Sequence, residues 1–287
     1  MTVNIGKVYS NAWTMLKERW AALLGLWAIF FGAILLFFFA IGSLFASFIG
    51  GALNGVSYGS PFESAASLGM GFTFLLAFLV IYGIFLMIVF AQQGAMAAKA
   101  SPLLEPGFGE ALRRGLKGSL TYLAIMVIYI IASLIVGLLI TLLTLILSFL
   151  GDLGQFIVDA LVTIGSIYLA CRFCVIIPLI TVDKIYNPIT AINESWRITS
   201  PHVLRIFLVL LIAGVAAFLL MLPFAGLIAS LELDSVNMGG AISAFITIFS
   251  VFGLIYLGFS LFGATLFASL HAETSDNQAA AVSKTFE

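Results

Sequence analysis

Charge is what this chain has least of. Only 9% of its 287 residues are Asp, Glu, Lys or Arg, and 62% are apolar; soluble domains carry roughly 25% and 45–50%. So few charges cannot clothe a water-soluble fold of this length, which excludes a soluble domain and makes a bilayer the solvent. Cysteine is as scarce. Cys171 and Cys174 are the only two, both inside an apolar run, which excludes a disulfide framework. Their CxxC spacing flanks an arginine in a lipid-embedded segment. That is neither the exposed, low-pKa thiol of a redox site nor a ligand set sufficient for zinc. The two histidines, His202 and His271, stand apart from any nucleophile or paired carboxylate, which argues against hydrolase chemistry and leaves no cofactor to expect. Both are expected to anchor at the membrane interface. A net charge of −1 gives no field for nucleic acid.

What the chain does have is long apolar runs. A span needs about 20 mostly apolar residues to cross about 30 Å of hydrocarbon. Six segments qualify: 20–49, 68–91, 120–150, 156–182, 203–231 and 241–270. The first run is too long for the core of a cleaved secretion signal, roughly 7–15 residues, and is expected to be a retained span. Orientation follows from the loops. Lys7, Lys17 and Arg19 precede span 1; Lys99, Arg113, Arg114 and Lys117 lie between spans 2 and 3. Lys184, Arg197 and Arg205 lie between spans 4 and 5 or at the start of span 5, and Lys284 follows span 6. The opposite loops hold only acids: Glu63, Asp152, Glu232 and Asp234. Positive residues stay cytoplasmic during insertion, so both termini are expected in the cytoplasm.

Before each pair of spans lies a short amphipathic stretch. Ile5, Val8, Ala12, Trp13 and Leu16 oppose Lys7, Asn11, Lys17 and Glu18; Phe108, Ala111, Leu112 and Leu116 oppose Glu110, Arg113, Arg114 and Lys117; Ile189, Ile192 and Trp196 oppose Asn193, Glu194 and Arg197. Such helices are expected to lie in the interface plane; the alternative is that they simply extend the spans. Asn187-Pro188 should start the third as an N-cap with proline at the first helical position, and Ser200-Pro201 should end it. The unit recurs near 1–100, 101–186 and 187–273, which predicts an all-α membrane protein: six transmembrane helices in three parallel repeats, one domain over 1–273. The polar, alanine-rich stretch 274–287 is expected to be a disordered cytoplasmic tail. Small residues four apart, Gly42/Ala46/Gly50 and Ala213/Ala217, are expected to pack helices closely.

Around span 4 the sequence runs CRFCVIIPLITVDKIYNPITAINESWRIT from Cys171. Arg172, Pro178, Asp183, Pro188, Ala191 and Glu194-Ser195-Trp196-Arg197-Ile198-Thr199 resemble the glycerophosphoryl diester phosphodiesterase membrane-domain-like family and its YciC-like relatives, bacterial inner-membrane proteins. Where that domain accompanies a phosphodiesterase, catalysis belongs to a separate soluble barrel. The resemblance therefore implies the membrane part alone, in a bacterial inner membrane, with no catalytic residues to carry over.

Arg172 is the most informative single residue. Eleven residues of unbroken helix from Asp183 would put it about 16 Å deep, where a cation costs about 2.5–3.5 kcal/mol. Its expected acceptors are the Cys174 carbonyl freed by Pro178, Asp183, Glu194 or Glu110. Gln92 and Gln93 occupy the matching place in the first repeat. Arg172, Gln92, Gln93, Asp183, Glu194 and Arg197 thus form either a polar pocket opening to the cytoplasm or a structural staple. Function follows the same fork. The chain is either a non-enzymatic lipid- or amphiphile-handling protein with a bound lipid, or an accessory subunit docking a membrane-protein partner.

Overall fold

The computed structural model describes the backbone of residues 3–55, 63–229 and 238–286, and side chains within 3–43, 76–224 and 247–275. The outer-loop acids Glu232 and Asp234, and the side chains of Glu63, Ala46, Gly50 and Lys284, lie outside these residues. Every regular element described is helical: α1 (Ile5–Gly55), α2 (Glu63–Ala100), α3 (Phe108–Leu147), α4 (Asp152–Phe173), α5 (Ile176–Thr181), α6 (Pro188–Thr199), α7 (Val203–Ala229) and α8 (Met238–Phe286). Six stretches are long and apolar enough to cross a membrane, from Ile5–Ser43 to Thr247–Ser275, one for each predicted span. Their apolar side chains face outward: Leu134, Leu138 and Leu145 on α3, and Phe218 and Leu220 on α7, are all more than half exposed. Water would not tolerate that surface and hydrocarbon does. The chain is a multi-pass helical membrane protein.

Local chemistry sets the breaks. The Asn187 side chain accepts from the amides of Ile189 (3.0 Å) and Thr190 (3.2 Å), and Pro188 opens α6, as its sequence predicts. Span 4 is interrupted between Phe173 and Ile176, because the Pro178 ring cannot share space with the Cys174 carbonyl one turn earlier. The two other amphipathic stretches are not separate helices. The first belongs to α1 and the second to α3, without interruption. No proline stands at 17–20 or 117–120, and Gly118 and Ser119 are carried within α3 without a break, so both stretches extend the spans. The apolar face of the first is also buried in protein rather than lipid: Val8 and Ala12 join Cys171, Leu179, Ile198 and Ile206 in the core. Nor does α8 stop at 273. It runs to Phe286, through most of the stretch expected to be a disordered tail, with His271, Ala272, Glu273 and Thr274 buried. Alanines 279–281 are strong helix formers that a composition-based reading undervalued.

Helices α2 and α3 cross closely. A Cβ on Gly115 would stand 2.3 Å from the Ala91 carbonyl oxygen and 2.6 Å from the Ala95 nitrogen; one on Gly94 would stand 2.9 Å from Thr181 Cγ2. Gly115 needs glycine because backbone meets backbone there, whereas at Gly94 the obstacle is the side-chain methyl of Thr181 on α5. At Gly42, the one member of the expected α1 stripe among the described side chains, nothing lies within 4 Å of a Cβ and the position faces outward.

Cations tie one end of the bundle together. Arg19 Nη1 donates to the carbonyls of Lys99 (2.8 Å) in the last turn of α2 and of Ser101 (3.0 Å) and Leu104 (2.9 Å) beyond it. Arg114 Nη1 donates to those of Thr181 (3.3 Å) and Val182 (3.4 Å) at the end of α5. Both satisfy carbonyls that a helix terminus leaves unpaired. Arg205 reaches the Val3 carbonyl (2.9 Å), and Lys7 pairs with Glu273 at 2.9 Å. Residues 3–7 and 271–275 therefore meet at the same end of the molecule.

Candidate functional site

Three separate places receive the six residues singled out from sequence. The first is the junction of α4 with α6. The helix break leaves the Arg172 carbonyl without its usual amide partner, and the Ser195 hydroxyl donates to it at 2.6 Å. The Arg172 guanidinium points at the same helix. Nη1 donates to the Trp196 carbonyl (3.1 Å), while Nε and Nη2 donate to the Tyr168 hydroxyl (3.0 and 2.6 Å). Its Cζ lies 4.9 Å from the Tyr168 ring centre and 4.6 Å from that of Trp196, within cation–π range of both. The acceptors expected for Arg172 are not the ones used. Glu194 pairs instead with Arg197 along the outer face of α6, and Glu110 with Arg114. Neither Glu194 nor Arg197 joins Arg172.

The second place is the contact of α8 with the residues that follow α5. Asp183 Oδ2 lies 2.9 Å from Nε2 of His271, which is fully buried. His271 is therefore not the interfacial anchor expected of it. Nothing in the spacing, 88 residues apart, announces the contact. His202 is likewise buried. Burial holds its imidazole below the ordinary pKa of 6.5, with Arg205 adding to the shift and Glu273 opposing it. A depressed histidine pKa means that the unfolded chain takes up the proton at higher pH than the folded one. The stability tied to His202 is then intact above pH 6.5 and declines as the pH falls below that value. His202→Gln should flatten the acid side of a plot of Tm against pH between 6.5 and 5; an unchanged slope there would assign the titration elsewhere.

The third place is the seam of α2 and α8. The Tyr256 hydroxyl donates to Gln92 Oε1 at 2.8 Å, and Gln93 Nε2 reaches Ser260 Oγ at 3.5 Å. Gln92 is fully buried, and its Nε2 has no partner among the described residues, nor does Nε1 of Trp27, whose ring lies 6.3 Å from Tyr256. The glutamines thus hold α8 against α2, far from Arg172 in contact terms. The six residues do not assemble one pocket.

An opening does exist elsewhere on α4. Between α4 and α7 lies an apolar cavity of about 400 Å³ lined by Ile167, Cys171, Phe207, Leu211, Gly214 and Phe218. Ile167, Leu211 and Phe218 are exposed, so the groove opens toward the lipid. Its size and lining suit a hydrocarbon chain, and the one potentially nucleophilic group among the lining residues is the Cys171 thiol. Both cysteines are free thiols, with Cys174 Sγ donating to the Cys171 carbonyl at 3.2 Å. Among the described residues no three His, Cys, Asp or Glu side chains gather as a metal site would need. No family model, curated protein or solved structure matches the chain.

Proposed function

We propose that this chain is a non-enzymatic protein of a bacterial inner membrane that holds a lipid or small amphiphile, in transport or membrane homeostasis. The observation that carries this reading is the apolar groove between α4 and α7, open to the bilayer. A lipid-facing groove buries chain methylenes without displacing water and selects by shape.

Three further elements support the arrangement. Gathering of the cations at one end favours both termini in the cytoplasm. Arg19 closing the end of α2 and Arg114 closing the end of α5 are the same device used twice, which favours parallel repeats. Finally, Arg172, Pro178, Ala191, Ser195 and Trp196, which carry the resemblance to the phosphodiesterase membrane-domain-like family, are the residues that break span 4 and seat α6 beneath it. The resemblance is thus one of fold-making residues, and it favours membership without lending chemistry. On α6, Ile189 and Trp196 stay exposed while Ala191, Ser195 and Ile198 are buried, which favours that helix alone lying in the interface.

Native mass spectrometry of the detergent-purified protein tests the groove. The wild type should retain a lipid adduct, and Gly214→Trp, which fills the groove where nothing lies within 4 Å of the new Cβ, should lose it. Absence of any adduct in the wild type, with a co-purifying membrane protein in its place, would instead favour the accessory-subunit reading.

A further inference from the structure

At the cation-rich end, a cleft of about 270 Å³ lies between the start of α3 and the loop joining α5 to α6, lined by Glu110, Arg113, Arg114, Lys117, Lys184 and Tyr186. Four cations face one carboxylate, leaving three positive charges. That carboxylate is engaged: Arg114 donates to Glu110 Oε1 through Nε at 2.9 Å and through Nη2. The Arg114 bond, and beyond it the charges of Lys184 and Arg113, holds Glu110 below the usual carboxylate range. Arg113, Lys117 and Lys184 form no ion pair among the described residues, and all three are exposed.

Like charges repel, and neither the fold nor a carboxylate repays their gathering. Two details show that the gathering is built. Lys184 holds φ at 60°, a left-handed conformation uncommon for a non-glycine residue and one that clusters at binding sites. Tyr186 is fixed by a bond from Thr121 Oγ1 to its carbonyl (2.9 Å), and its ring carries Lys117 Nζ 4.5 Å from its centre. The negative end of α5 is neutralised, because Arg114 occupies its terminal carbonyls. On either side of Lys117 the exposed Leu116 and Leu120 begin the apolar surface of α3. The cleft therefore stands at the headgroup boundary.

We infer that this cleft binds a phosphate-bearing anion through Arg113, Lys117 and Lys184, with Tyr186 as its wall. Arginine offers a planar fork to phosphate oxygens and the lysines offer point charges. Basic pockets beside transmembrane helices are suited to anionic headgroups; a soluble phosphoester would present the same chemistry. The inference goes beyond the apolar groove and does not require it to be occupied.

The test uses the full chain in maltoside micelles and reads Tm. One arm adds phosphatidylglycerol or, as control, phosphatidylcholine; the other adds inorganic phosphate or glycerol phosphate at matched ionic strength. Phosphatidylglycerol alone should raise Tm if the anion is a headgroup, whereas a rise with glycerol phosphate or inorganic phosphate marks a soluble phosphoester. Each cation near an anionic headgroup is worth about fivefold in binding, so the triple variant Arg113→Gln/Lys117→Gln/Lys184→Gly should need on the order of a hundredfold more ligand. Lys184→Gly alone removes one charge, and glycine accepts φ 60° without strain. It keeps the comparison open, at about fivefold, should the triple variant fail to fold. No response to any phosphate-bearing probe, or the same response in folded variants as in the wild type, overturns the inference. So does a response to phosphatidylcholine equal to that for phosphatidylglycerol, since charge then plays no part.

Discussion

Gly115→Ala should cripple the protein, although alanine is the better helix former. Propensity favours alanine over glycine by about 1 kcal/mol in a helix interior. Against this stands a Cβ placed 2.3 Å from the Ala91 carbonyl oxygen, 2.6 Å from the Ala95 nitrogen and 2.7 Å from the Ala95 Cβ. Two of these atoms are backbone, so no rotamer change relieves the clash and α2 or α3 must move as a whole. Such overpacking costs about 1–3 kcal/mol and sometimes more, and with rigid backbone on the far side the upper end applies. The crossing cannot open locally either. Thr181 lies under Gly94 and Ile180 under Gly118, so shifting α3 also strips contacts from α5. The expected net loss of about 2 kcal/mol or more should appear as a drop of several degrees in Tm and a lower yield of monodisperse protein. Gly165→Ala provides the control. Nothing lies within 4 Å of a Cβ there, so its Tm should hold or rise slightly. Equal Tm values for the two variants would dismiss the α2–α3 crossing.

The contrast between Gly115 and Gly42 also shows which parts of the molecule could be read from sequence. Spans could, because hydrocarbon imposes a length and a composition that each segment must meet on its own. Breaks could too, where a single residue enforces them: Pro178, Pro188 with Asn187, and Pro201 all stand at observed interruptions. Where no such residue stands, between Leu16 and Trp20 or between Lys117 and Leu120, an amphipathic stretch and its span are one helix. Pairings between helices were not legible. A GxxxA-like spacing occurs in several spans, and only the neighbour's shape tells that Gly115 is pressed on Ala91 while Gly42 is free. Arg172 is a buried cation that needs acceptors. Its acceptors are a tyrosine hydroxyl and a backbone carbonyl, groups that carry no charge pattern to search for. Likewise Arg113, Lys117 and Lys184 were visible as loop cations, and their convergence on one cleft was not.

Arg172→Leu is expected to loosen α6 without abolishing the fold. Two opposing terms must be compared. Removing a cation from a low-dielectric site relieves desolvation, which at mid-membrane would amount to about 2.5–3.5 kcal/mol. That relief is small here, because the break after Phe173 and the docking of α6 bring acceptors and two aromatic faces around the guanidinium. What is lost is larger: hydrogen bonds from a charged donor, worth about 1.5–3 kcal/mol together with their desolvation balance, and cation–π contacts of about 0.5–2 kcal/mol. The net expectation is a destabilisation of about 2 kcal/mol, concentrated at the α4–α6 junction, where Ser195 remains as the second tie. Trypsin should then cut more readily after Arg197, which is already 63% exposed, and Tm should fall by a few degrees. Arg172→Lys should not rescue. One ammonium cannot serve both the Tyr168 hydroxyl and the Trp196 carbonyl while stacking on two rings, and it is more strongly hydrated than the guanidinium it replaces. Lysine should therefore do as badly as leucine or worse. A wild-type Tm and trypsin pattern in Arg172→Lys would mean that charge alone matters at this position and that the planar fork does not hold α6 in place.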